Sequence, residues 1–61
     1  MKVAELRAVI TLDKVCIYDV SHEVEDLYVG EVNDIPVELM DREVLVVGAR
    51  RKFWLDIGIG G

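Results

Sequence analysis

Val44-Leu45-Val46-Val47 and the stretch Phe53-Trp54-Leu55 with Ile57 and Ile59 put apolar side chains on both faces of any strand they form. A sheet with two apolar faces needs cover on both. Sixty-one residues leave room for one short helix and one helical turn, enough for a single face. At about 25 cal/mol per Å² of apolar area, a wet second face forfeits several kcal/mol. A fold of this length is worth only about 3–9 kcal/mol in total. The pattern therefore predicts one small domain, residues 1–61, completed by homo-oligomerisation, most simply a two-fold dimer.

The element order follows from local pattern. Residues 2–10 are ambiguous between a helix (Val3, Leu6, Val9 and Ile10) and a strand (Ala4, Leu6, Ala8, Ile10 and Leu12). Their good helix formers favour a short helix. Lys14 to Val20 reads as a strand, with Val15 and Ile17 opposing Cys16, Tyr18 and Val20. Ser21 to Asp26 reads as a hairpin loop and Leu27 to Val32 as the returning strand. Gly30 marks a bulge or a close backbone approach. Asn33-Asp34-Ile35-Pro36 is a helix-start signal, with Asp34 as cap and Pro36 in the first turn of a short helix over Val37, Leu39 and Met40. Arg42 to Ala49 and Phe53 to Ile59 form a second hairpin. Val44 and Val46 share one face there, Leu45 and Val47 the other; Phe53 joins the core and Trp54 faces away. Gly58, Gly60 and Gly61 fray the end. The fold class is α+β: a short N-terminal helix and a four-stranded, mainly antiparallel sheet of two hairpins joined by a short helical turn.

Composition narrows the function classes. Eleven Val and five Ile favour strands, and 52% hydrophobic residues argue against disorder. No apolar run approaches the ~20 residues that span a bilayer. No export signal is visible, and the one cysteine, Cys16, leaves no internal disulfide, so a cytoplasmic location is expected. The net charge of −5 is uneven. Residues 15–41 carry eight acids and no Lys or Arg, whereas residues 42–61 carry four basic and two acidic side chains. The acidic middle repels extended nucleic acid. A small anionic ligand can still be held by Arg50, Arg51 and Lys52.

No catalytic constellation stands out. Cys16 with His22 as its base competes with the plainer reading of a small buried strand residue. Asp19, Ser21, Glu23 and Glu25 alternate as oxygen ligands would, but a calcium loop needs Gly where Val24 stands and Glu where Gly30 stands. No metal or cofactor is expected, and the chain reads as a non-enzyme. The most informative stretch is Arg50-Arg51-Lys52-Phe53-Trp54. Its guanidinium groups can fork onto phosphate and an aromatic can stack on a base; the plain alternative is a charged hairpin tip followed by core. The candidate ligand-binding set is Arg50, Arg51, Lys52, Trp54, Tyr18, Tyr28, Asp19 and His22.

Residues 14–57 carry a likeness. Ile17-Tyr18-Asp19, Leu27-Tyr28-Val29-Gly30-Glu31-Val32, Asp34-Ile35-Pro36 and Glu38-Leu39-Met40-Asp41-Arg42-Glu43-Val44 look like small proteins of phages and prophages of Gram-positive bacteria. Among these, the chain is similar to the sponges that capture the histidine–ADP-ribose signal of Thoeris defence. The likeness implies an anti-defence role in the host cytoplasm, by sequestering a small nucleotide-type immune signal at a subunit interface. The alternative is an acidic protein-interaction module that inhibits or adapts a host or viral protein, steered by segment 15–41 toward a basic partner.

Overall fold

The computed structural model describes residues 1–22, 25–49 and 52–60. Helix α1 runs Val3–Arg7, β1 Lys14–Asp19, β2 Asp26–Glu31, β3 Val44–Gly48 and β4 Trp54–Ile59. Two 3₁₀ turns, Val32–Asp34 and Val37–Leu39, lie between β2 and β3. The strands form one sheet in the order β2-β1-β4-β3. Both hairpins are antiparallel, and the central β1–β4 pair is parallel. The α+β class and the two hairpins are as expected, but the sheet is mixed. Hairpin signals specify only sequential neighbours. How the hairpins meet is set by residues 32–43, which carry the chain from one edge of the sheet to the other.

Strands β1 and β4 take the centre because they supply the apolar side chains that pack from both sides. Val15, Ile17, Ile57 and Ile59 are fully buried and form one core with Val3 of α1 and with Ile35 and Leu39 of the crossover. The register sets Ile17 beside Ile57 and Val15 beside Leu55 on this closed face. The Cα radius of gyration is 10.2 Å, in keeping with the roughly 10–11 Å of a compact chain this long.

Helix α1 spans five residues, shorter than the expected 2–10. Its start is held by the Glu5 carboxylate, which accepts the Lys2 backbone N–H at 2.9 Å. The β-branched Val9 and Ile10 follow, and neither favours continuation. Asp34 does not cap a helix: it ends the first 3₁₀ turn, and Pro36 stands at the N-terminal boundary of the second with no side-chain cap.

Two further expectations fail at the β3–β4 hairpin. The register shifts between Val44 and Val46, so Val44 pairs with Ile59 on the closed face and Val46 with Gly58 on the other. A bulge places two residues against one, which breaks the period-2 alternation that put Val44 and Val46 together. Phe53 is not core: it has φ 69° in the turn before β4 and is 71% exposed. A turn that needs a positive φ takes the residue out of the strand's alternation.

The glycines differ from expectation in two cases, Gly58 and Gly60, the second held by its N–H on the Glu43 carbonyl at 3.1 Å and by Arg42 Nε on its own carbonyl at 3.0 Å. At Gly30 a Cβ would lie 2.8 Å from Tyr28 Oη, a close approach by the side chain that folds over it. Gly58 does not fray. It is buried in the central strand beneath the Tyr18 ring, where a Cβ would lie 2.9 Å from Tyr18 Cζ and from Val20 Cγ1. Gly61 lies outside the described residues.

Candidate ligand-binding site

The parallel β1–β4 pairing sets Lys14 directly beside Trp54. The Lys14 ammonium lies 6.0 Å from the Trp54 ring centroid and 3.7 Å from Glu31 Oε1. Lys52, two residues before Trp54, holds its ammonium 5.5 Å from the exposed Phe53 ring centroid. One end of the sheet thus gathers two cations and two aromatics. A cation–π contact at an exposed site is worth about 0.5–1 kcal/mol. A surface ion pair is worth about 0–1 kcal/mol. Neither binds Lys14 strongly enough to stop it turning to a phosphate.

The described candidate residues divide among four places. Lys52 and Trp54 share the sheet end just described; Arg50 and Arg51 lie outside the described residues. Tyr18 is on the same face as Trp54 but four residues further along the paired strands, about 13 Å at roughly 3.3 Å per residue. Tyr18 is also buried over Gly58, so it offers little free surface. Tyr28 pairs with Ile17, packs against the core on the opposite face, and donates its hydroxyl to the Glu31 carbonyl at 2.6 Å. Its phenol pKa is raised, first by burial and then by the charges of Asp34 and Glu31. Asp19 and His22 stand at the other end of the sheet. A single chain therefore does not converge all eight side chains on one ligand.

Asp19 has structural work there. Its Oδ1 accepts the Ser21 backbone N–H at 2.8 Å, and its Oδ2 lies 3.8 Å from the Arg42 guanidinium. The Ser21 amide holds the carboxyl below the usual range; desolvation opposes this, and the Ser21 hydroxyl, His22 and Arg42 reinforce it. Arg42 also donates Nε to the Gly60 carbonyl at 3.0 Å. A cleft of about 360 Å³ lies beside it, lined by Asp41, Arg42, Glu43 and Gly60. With the guanidinium already engaged and two carboxylates on the rim, that cleft disfavours an anion.

Sequence reasoning missed Lys14 as a site residue. It stands forty positions from Trp54, and only the parallel pairing joins them. Among the described residues, no group of three or more His, Cys, Asp or Glu side chains is placed to hold a metal ion. No helix among them is long and apolar enough to cross a membrane.

The fold and site define a small α+β protein with a mixed four-stranded sheet and a basic, aromatic end. None of the family models, curated proteins or solved structures compared with the chain matches it.

Proposed function

We propose that this protein is a non-catalytic binding module for a small phosphorylated, nucleotide-type ligand, taken at the Trp54 end of the sheet. The observation that carries the reading is the Lys14–Trp54 juxtaposition, with the Lys14 ammonium 6.0 Å from the ring centroid and Lys52 beside it in the turn. Trp54 stacks on a base, and the two ammonium groups neutralise phosphate. Arg50 and Arg51 precede Lys52 in the sequence. The ligand class implied by the likeness to phage sponges, a histidine–ADP-ribose type signal, is the first to try.

Trp54 is the one tryptophan in the chain, so its emission reports the site directly. Titration with ADP-ribose is expected to give a saturable change that Lys14→Gln weakens severalfold. A flat titration across ADP-ribose-type ligands, with no heat in calorimetry, rejects the proposal.

The second reading, a protein-interaction module, is favoured by the sheet face opposite the helix, where Leu27 and Val29 are each 45% exposed. Purification from a host lysate separates the two. A stoichiometric protein partner favours the second reading, and a co-purifying nucleotide favours the first.

A further inference from the structure

The turn before β4 holds Phe53 in the left-handed region, at φ 69°. Among the described residues, no other non-glycine has a positive φ. A bulky side chain rarely adopts this conformation, because its Cβ crowds the following carbonyl oxygen. Glycine fills such a turn without strain, and Asn or Asp with little. This sequence places an aromatic there instead.

The ring is not outside for want of an apolar place. Phe53, Leu55, Ile57 and Ile59 alternate, and continued alternation would set Phe53 on the closed face with them. On that face a groove of about 250 Å³ lies between Val47, Leu55 and the segment of residues 6–12. Phe53 is not among its lining residues. The ring stands 71% exposed, and the strained turn keeps it there. Residues held in sparsely populated backbone regions cluster at ligand-binding sites.

The groups around the ring indicate what it contacts. The Lys52 ammonium lies 5.5 Å from its centroid. Among the described residues, Lys52 has no carboxylate partner, whereas Lys14 has Glu31 and Arg42 has Asp19. The carboxylates in register at this end are engaged. Glu31 lies 3.7 Å from Lys14, and Asp56, two residues beyond Trp54 on the same face, is buried with a partner group of its own. An exposed ring beside an uncommitted cation suits a planar base that carries a phosphate.

We propose that Phe53 is a ligand-contacting residue of the Trp54 site, its ring held outward by the left-handed turn against the base of the ligand, with Lys52 beside it on the phosphate. The inference rests on the nucleotide reading above and adds a residue to it. The conformation that strains the turn is the one that withholds the ring from the strand's own packing.

The test is a split between stability and binding. Phe53→Asn removes the ring and leaves a side chain that tolerates the left-handed region. Its urea midpoint is expected to be unchanged or higher. Its affinity for ADP-ribose, read by Trp54 emission, is expected to fall about tenfold, the scale of one base–aromatic stack. Inorganic pyrophosphate, which has no base, is expected to bind both chains equally in calorimetry. Phe53→Tyr keeps the ring and is expected to keep the affinity, whereas Lys52→Gln weakens both ligands severalfold. Full ADP-ribose affinity in Phe53→Asn overturns the inference and leaves the Trp54 reading standing. A lower urea midpoint in that variant, or failure to fold, also overturns it, since the ring then packs on the protein. So does an equal loss of ADP-ribose and pyrophosphate, the outcome of a distorted turn. If the unaltered chain binds no ADP-ribose-type ligand, the nucleotide reading falls and the role of Phe53 falls with it.

Discussion

The two faces of the sheet come from the same four strands and are built to different ends. On the closed face, Val15, Ile17, Ile57 and Ile59 lie completely buried beneath Val3, Ile35 and Leu39. On the open face, Cys16, Tyr18 and Asp56 are buried at the centre, each in contact with a partner group, while Leu27, Val29, Leu45 and Val46 form an apolar rim in contact with water. The closed face is made by elements brought over from elsewhere in the chain. The middle of the open face is covered by its own side chains, with the Tyr18 ring lying across Gly58. A chain this small holds one face with a core and leaves the rim of the other exposed.

The largest break in this contrast is expected on the closed face. Ile57→Ala empties part of the central core and is expected to cost about 2–5 kcal/mol. Against a total of about 3–9 kcal/mol, urea denaturation should find the variant largely unfolded or close to it.

Next comes the covered centre of the open face. Gly58→Val places a Cβ 2.9 Å from Tyr18 and Val20 atoms. The Tyr18 ring must move, at about 1–3 kcal/mol, the usual cost of overpacking. The same urea experiment should show a lower midpoint with little change in slope. An unchanged midpoint would mean that Tyr18 does not lie on Gly58.

The rim should behave oppositely. Val29→Thr removes apolar surface already in contact with water and is expected to shift stability by no more than about 0.5 kcal/mol. A large loss there would show that Val29 is covered in solution.

The smallest effect is electrostatic and sits at the β2 margin of the closed face. The raised Tyr28 pKa means that the fold favours the protonated phenol. Its contribution is full below the unfolded-state pKa and is lost as pH rises through the folded one. Absorbance titration should therefore show a late-ionising phenol, absent in Tyr28→Phe. Asp19 has the opposite sign: its lowered pKa stabilises the fold above the usual aspartate range, and that contribution disappears as pH falls through the folded value.

Much of the fold was legible in local pattern. Val15 to Tyr18 is apolar throughout and buried, and the four strand positions and the turn near Val37 follow from residue type within short windows; Glu23 and Val24 of the expected acidic loop lie outside the described residues. The misreadings are local departures from periodicity. The β3 bulge and the positive φ at Phe53 each move side chains across faces, and period-2 counting detects neither. Of the candidate site, the Lys52–Trp54 segment was legible because cations and aromatics adjoin in the sequence. The dispersal of Tyr18, Tyr28, Asp19 and His22 was not, because it depends on which face and which end of the sheet each occupies.

The sequence by itself determined the element order, the α+β class and the uneven charge, since each depends on propensity and spacing over a few residues. It also required an apolar surface larger than one short helix can cover. Only the tertiary structure decided that β1 and β4 meet in parallel at the centre and that Lys14 stands beside Trp54. Those outcomes depend on how the crossover of residues 32–43 packs Ile35 and Leu39 into the core, a contact between residues distant in sequence that no local pattern encodes.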